Sequence, residues 1–265
     1  MTKNVTWTIS GESLTGTFVT KDYDMKGTKF GAYSLEKVPV EVKWSGMDSS
    51  DRFDQHLKNS VHKQRLQELG FLTADCISYC YNSCGFRAEE FDQRPAGIAL
   101  GCSFTEGVGI PLDATWPMQL SKMLDQHIWN LGVGGGALDT CYNVLEHYID
   151  ALSPKFVVVC TPPVDRFEFF QDKTPIRVLG GYNIPPLYDS FFKEWFVSEK
   201  NSETNYRKNI LAMQQLCLQH SIPFYYLSSN NDFKQDGKAR DLAHPGIDSN
   251  RKFATKMYQL MDRSK

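Results

Sequence analysis

Beyond residue 96, short apolar runs alternate with longer segments whose apolar residues recur every three or four positions. The apolar runs have the length of buried strands and cover residues 97–100, 127–133, 156–160 and 222–227. The segments with helical spacing cover residues 115–124, 138–152, 203–220 and 248–261. Strands separated by such helices need crossover connections, which are right-handed and give a parallel sheet. The pattern therefore predicts an α/β fold with a central parallel sheet and helices on both faces.

The first part of the chain has a different pattern. Apolar and polar residues alternate, as in short antiparallel strands, over residues 5–10, 13–19 and 39–44. Residues 51–69 have helical spacing, and Gly70 is suited to the end of that helix. We therefore predict a β-rich N-terminal appendage with one helix at residues 1–90 and an α/β domain at residues 91–265.

Composition and charge exclude several classes of protein. The 265 residues are 41% hydrophobic, enough for a substantial core. The formal net charge of −2, from 29 basic and 31 acidic residues, does not favour binding to nucleic acid or to a membrane surface. The sequence has no run approaching the ~20 apolar residues of a membrane span and no secretory signal. With seven cysteines, an odd number, we expect reduced thiols and a cytoplasmic protein.

Side chains suited to acyl transfer follow predicted strands at two distant points of the chain. Ser103 lies in the turn after residues 97–100, and Asp241 and His244 stand at i and i+3 near the C-terminus. A serine hydroxyl is a weak nucleophile until a base takes its proton, and the base works best when a third group orients it. Because sites in parallel sheets form beyond the carboxyl ends of the strands, we predict that these residues meet there. The alternative is that all three only cap turns before helices.

Three further features leave alternatives open. The glycines at 134–136 suit an oxyanion hole, a phosphate cradle or a plain tight turn. Cys76, Cys80 and Cys84 do not have a common zinc or iron–sulfur spacing, so isolated thiols are expected. Residues 167–200 form a long aromatic-rich connection that either covers the site or packs against the core.

The blocks around these residues resemble the SGNH hydrolase superfamily of GDSL-like lipases and esterases. Residues 101–107, with the sequence GCSFTEG, are similar to its nucleophile block, with Cys102 where aspartate is usual. Similar blocks are the lead-in at residues 81–87, the glycine block at 130–135 and the final Asp-x-x-His at 241–244. The likeness covers residues 80–265 and implies a flavodoxin-like three-layer α/β/α fold.

The resemblance also implies roles for individual residues. Ser103 would be the nucleophile, His244 the base and Asp241 the group that orients it. The backbone N–H groups of Ser103 and Gly135 would form the oxyanion hole. No cofactor and no metal are implied.

The third block of the family is where this chain departs from the pattern. That block is normally Gly-x-Asn-Asp, and its asparagine donates to the oxyanion. Residues 161–166 read TPPVDR and contain no asparagine. Loss of one such donor costs about 3–4 kcal/mol of transition-state stabilisation. Arg166 is the preferred substitute because a guanidinium always carries its charge, with Thr161 and Asn183 as other candidates.

We therefore expect a serine hydrolase that cleaves an ester, for example an O-acetyl or other short acyl group on a carbohydrate. Two alternatives remain: an SGNH-fold binding or structural module with weak or no catalysis, and an O-acyltransferase. The expected partner is a small-molecule or carbohydrate ester, with no nucleic acid and no membrane. The oligomeric state is left open.

Overall fold

The computed structural model describes residues 2–9, 12–19, 40–171, 174–179, 194–195, 198–233 and 237–263. The strands within these residues are β1 (Thr2–Ile9), β2 (Glu12–Val19), β3 (Val40–Val42), β4 (Tyr79–Tyr81), β5 (Ala96–Gly101), β6 (His127–Gly132), β7 (Val157–Thr161), β8 (Phe167–Gln171), β9 (Thr174–Val178) and β10 (Phe224–Ser228). The α-helices are α1 (Ser50–Lys58), α2 (Ser60–Glu68), α3 (Ser103–Glu106), α4 (Trp116–Leu124), α5 (Leu138–Leu152), α6 (Glu199–Gln219) and α7 (Ile247–Asp262). None of these helices has both the length and the apolar character needed to cross a bilayer.

The central sheet has four parallel strands in the order β10-β7-β5-β6. Side chains on a strand point alternately to the two faces of the sheet. Ile98 and Leu100 of β5 therefore pack with α5 and α6 on one face, whereas Ala99 packs with α4 and α7 on the other. This arrangement confirms the predicted three-layer α/β/α fold.

The N-terminal strands form small antiparallel pairs. β1 pairs with β2 and β3 pairs with β4, both antiparallel. Residues 51–69 form two helices, α1 and α2, rather than the single helix that the spacing predicts. Asn59 separates them because its backbone is extended and its side-chain oxygen accepts from the His62 N–H, which caps α2. The boundary at residue 90 stays a prediction.

Two other elements differ from the predicted pattern. α6 begins at Glu199, four residues before the predicted start at 203, because its first turn is polar and carries no apolar period. Part of the predicted aromatic connection forms the hairpin β8–β9. Phe167 and Val178 of this hairpin are buried and pack with Trp195.

A buried ion pair joins Asp48, which precedes α1, to Arg240, which precedes α7. The Asp48 carboxylate accepts from Arg240 Nε at 3.0 Å and from Arg240 Nη2 at 2.7 Å, and both side chains are fully buried. Arg240 also donates to the carbonyl oxygens of Lys43 and Ala74 and lies 4.2 Å from the centroid of the Trp44 ring. We refer to the Asp48–Arg240 pair as the clamp.

We predict that Asp48→Ala lowers the free energy of unfolding by about 3–5 kcal/mol, because it leaves the Arg240 charge buried without a partner. Urea denaturation followed by circular dichroism measures the change. Asp75→Ala is the matched control, since the Lys43–Asp75 pair is solvent-exposed and should contribute nothing measurable. Equal stability of the two variants would contradict the prediction.

Candidate active site

The turn after β5 places Ser103 at the first residue of α3. A Cβ atom on Gly101 would lie 2.1 Å from Thr105 Oγ1, so only glycine allows the strand to turn this closely into the helix. Gly132 at the end of β6 is equally constrained, since its Cβ would lie 2.3 Å from the Glu106 nitrogen. Asn130 connects the two elements by donating to the Thr105 carbonyl at 2.9 Å. The neighbouring strand therefore fixes the position of α3.

The structure brings Ser103, His244 and Asp241 together in one chain of hydrogen bonds. His244 Nδ1 lies 2.5 Å from Asp241 Oδ2, and His244 Nε2 lies 2.9 Å from Ser103 Oγ. Because a carboxylate only accepts, Nδ1 carries the ring proton, which leaves Nε2 to accept from the Ser103 hydroxyl. All three side chains are buried, so water competes little for these bonds. A hydroxyl, an imidazole and a carboxylate in this order can activate the hydroxyl as a nucleophile.

The loop that carries Asp241 is held by its own backbone. Asp241 Oδ1 accepts from the N–H groups of Ala243, at 3.0 Å, and His244, at 2.9 Å. Leu242 between them has a φ of +54°, a conformation that is uncommon for residues other than glycine. Burial raises the pKa of the Asp241 carboxyl, but the hydrogen bonds from His244 and Ala243 outweigh it and hold that pKa below its ordinary value.

Helix α1 contacts the same loop through two of its side chains. Arg52 Nε donates to the Asp241 carbonyl oxygen at 3.0 Å, and His56 Nε2 donates to it at 3.1 Å. The clamp holds the preceding residue, Arg240. The spacing of residues 51–69 predicts a helix but gives no sign that Arg52 and His56 reach a loop 185 or more residues away.

A cavity of about 330 Å³ opens beside Ser103 and His244. Its other lining residues are Ser45, Gly46, Met47, Tyr81, Gly85, Glu106, Val108, Gly132, Val133, Gly134, Gly135, Arg166, Arg177 and Leu179. This volume is at the lower end of the range for small-molecule sites, roughly 300–1,000 Å³. The cavity fits a small group better than a long acyl chain.

Gly135 lies in the wall of this cavity, in a turn closed by the hydrogen bond from Gly136 N–H to the Val133 carbonyl. Its φ of +71° is one that glycine adopts without strain. Ser103 N–H, as the first amide of α3, has no acceptor within its own helix. The assignment of both N–H groups to an oxyanion hole stays a prediction.

The candidates for the missing third donor fall in different places. Arg166 lines the cavity, and its Nη1 donates to the Gly136 carbonyl at 3.5 Å. Thr161 is buried at the end of β7, where its hydroxyl accepts from Tyr206 at 3.5 Å. Asn183 lies outside the described residues. Of the two candidates within the described residues, Arg166 is the one that lies beside the glycine turn.

Four polar side chains of the cavity wall were not assigned to the site from the sequence: Ser45, Tyr81, Glu106 and Arg177. The buried Glu106 carboxylate accepts from the Tyr81 hydroxyl at 2.6 Å, and the Ser45 hydroxyl donates to the Tyr81 oxygen at 2.6 Å. Burial raises the pKa of the Tyr81 phenol, and the Glu106 charge raises it further, so the phenol keeps its proton and donates. Glu106 follows Ser103 by three residues on α3, and this spacing is the signal that could have placed it near the site.

Within the part of the chain that the structure describes, no group of three or more His, Cys, Asp and Glu side chains is arranged to hold a metal ion. Cys76, Cys80 and Cys84 are free thiols there.

We predict that the hydrogen bonds to Asp241 make stability depend on pH. Since its pKa is lowered in the folded state, these bonds contribute fully above the ordinary carboxyl pKa of 3.8, and their contribution is lost as the pH falls through the lower folded value. Unfolding curves of the wild type and Asp241→Asn should therefore converge as the pH falls below 3.8. A stability difference that stays constant across that range would contradict the assignment.

Comparisons with known proteins gave matches among solved structures. No family model and no curated protein matches the chain. One match is the psychrotrophic esterase EstA from Pseudoalteromonas sp., with 14% identity over 64% of this chain and 98% of that one and a TM-score of 0.38. A family two carbohydrate esterase from Cellvibrio japonicus has 14% identity over 66% of this chain and 62% of that one, with a TM-score of 0.37.

A GDSL-like lipase from Bacteroides thetaiotaomicron VPI-5482 has 15% identity over 66% of this chain and 93% of that one, with a TM-score of 0.34. At these identities and TM-scores the matches assign no role to any residue of this chain. Several of the similar structures are named as GDSL-family or SGNH-hydrolase proteins.

Proposed function

We propose that this protein is a serine hydrolase that cleaves esters, with Ser103 as the nucleophile. The observation that supports this most directly is the pair of distances that joins the three side chains: 2.9 Å from Ser103 Oγ to His244 Nε2, and 2.5 Å from His244 Nδ1 to Asp241 Oδ2. The first distance lies within the range in which a base takes a proton from a nucleophile, and the second is a short hydrogen bond suited to holding the imidazole in one tautomer.

The reaction has two halves. Ser103 Oγ forms a bond to the ester carbon while His244 Nε2 takes the hydroxyl proton. When the carbon–oxygen bond to the alcohol breaks, His244 returns that proton to the leaving oxygen. Water then gives a proton to His244 and attacks the acyl-enzyme, and Ser103 recovers its proton as the acid departs. Asp241 stabilises the imidazolium in both halves.

The negative charge that develops on the carbonyl oxygen needs donors. In this proposal the backbone N–H groups of Ser103 and Gly135 supply two of them. Arg166 is the candidate third donor, because its guanidinium lines the same cavity beside the glycine turn. Each such donor is worth about 10²–10³ in rate.

The proposed substrate is a short acyl ester, for example an O-acetyl group on a carbohydrate. The small volume of the cavity supports a short acyl group. Transfer of the acyl group to a sugar hydroxyl would use the same first half-reaction. Product analysis in the presence of a sugar acceptor distinguishes transfer from hydrolysis.

We predict that Ser103→Ala lowers the turnover of p-nitrophenyl acetate at least about 10³-fold, because no other hydroxyl would receive the activation by His244. A fluorophosphonate probe should label the wild-type protein at Ser103, located by peptide mass spectrometry. Ser121→Ala is the matched control, since Ser121 lies on α4 and is not among the residues of the cavity wall. Unchanged turnover in Ser103→Ala would contradict the assignment of Ser103 as the nucleophile. Lack of labelling of the wild-type protein would favour a binding or structural module.

We further predict that Asp241→Asn lowers kcat about 10³–10⁴-fold with little change in KM. The amide NH₂ would donate where the carboxylate accepts, which favours the wrong tautomer of His244. Steady-state kinetics with the same ester measures the effect. A kcat within tenfold of the wild type would remove Asp241 from the mechanism.

A further inference from the structure

Two arginine side chains enter the cavity from different elements. Arg166 follows β7, and Arg177 lies on β9. Each donates to a carbonyl of the glycine turn: Arg166 to that of Gly136 and Arg177 to that of Gly134. The two guanidiniums therefore stand beside the turn, in the same cavity as Ser103.

The carboxylate of the cavity, that of Glu106, lies against the same turn. A Cβ atom added to Gly134 would lie 2.7 Å from Glu106 Oε2, whereas one added to Gly135 would lie 3.8 Å from Arg177 Nη1. The Glu106 carboxylate also accepts from the Tyr81 hydroxyl, which in turn accepts from the Ser45 hydroxyl. The Glu106 carboxylate therefore already has a hydrogen-bond donor within the protein.

The guanidinium of Arg166 has few hydrogen-bond partners among the described residues. Its guanidinium has five N–H donors and is always charged. Its hydrogen bond to Gly136 is long, at 3.5 Å, and no carboxylate of the described residues lies within 4.0 Å of it. A partly buried guanidinium facing a cavity binds carboxylate or phosphate oxygens by charge-assisted hydrogen bonds.

We infer that the natural substrate is an ester that carries an anionic group, a carboxylate or a phosphate, held by Arg166 with Arg177 while the ester carbonyl lies at Ser103. This inference rests on the proposed esterase function and adds the class of substrate. It gives Arg166 a role in substrate selection, whereas donation to the oxyanion would act on all esters alike.

The test compares esters that differ only in charge. On the alcohol side the pair is 3-acetoxybenzoate and 3-acetoxybenzamide, with 3-acetoxyphenyl phosphate as the phosphate arm. On the acyl side the pair is p-nitrophenyl hydrogen adipate and its terminal primary amide. We expect kcat/KM of the wild type to favour the anionic member of at least one pair by about tenfold or more.

Substitutions of Arg166 then test whether this residue causes the preference for anionic esters. Arg166→Gln should lower the anionic-to-neutral ratio of kcat/KM about tenfold or more, while Arg166→Lys keeps the charge and should retain part of the ratio. Arg251→Gln is the matched control, since Arg251 is an exposed residue of α7 paired with Asp248. Thermal unfolding verifies that each variant is folded. A wild-type ratio near one in every pair, or equal losses by Arg166→Gln on anionic and neutral esters, would overturn the inference.

A binding measurement separates this inference from the proposed chemistry. Calorimetric titration of Ser103→Ala with the same pairs requires no turnover. Tighter binding of the anionic ester, lost on adding Arg166→Gln, supports the anion site even if the wild type neither turns over esters nor is labelled at Ser103. Equal binding of the anionic and neutral members refutes the anion site, whatever the outcome of the labelling.

Discussion

The arrangement of the candidate site depends on one buried ion pair. Asp48 and Arg240 are both shielded from water, so each charge needs the other, and the pair fixes the loop that begins at Arg240. The next residue is Asp241, whose carbonyl is held by Arg52 and His56 of α1. The N-terminal segment thus supports the loop of Asp241 and His244, while the central sheet supports Ser103.

The cavity combines charges of both signs at short range. The Glu106 carboxylate of the cavity wall accepts from the Tyr81 hydroxyl, and the Asp241 carboxylate beyond His244 accepts from the backbone of its own loop. The guanidiniums of Arg166 and Arg177 contact backbone carbonyls of the glycine turn. A substrate entering this cavity therefore meets a hydrogen-bonded carboxylate and, at Arg166, a cation with one long hydrogen bond among the described residues, which is why charge and not only size should govern selection.

The layered fold could be predicted from the sequence because the apolar strands and helices of the sheet have clear periods, as in α5, whose predicted bounds agree with the structure. The juxtaposition of Ser103, Asp241 and His244 could be predicted because strand ends converge at one edge. The division of α1 from α2 could not, since it depends on one asparagine side chain. Arg177 could not be assigned, because its position depends on the pairing of β8 with β9, whereas the spacing of Glu106 from Ser103 on α3 was a signal that could have placed Glu106 near the site.

The clamp also has a consequence for how the molecule comes to be active. Asp48 and Arg240 are separated by 192 positions, so their contact closes a very long loop, and contacts of this kind form slowly. During synthesis the sheet strands β5, β6 and β7 all emerge before Arg240 does. In a chain whose sheet has already assembled, His244 would still not be oriented until the loop that begins at Arg240 had docked on the N-terminal segment. The appearance of the proposed esterase activity would then follow the final docking step of folding and not the formation of the sheet.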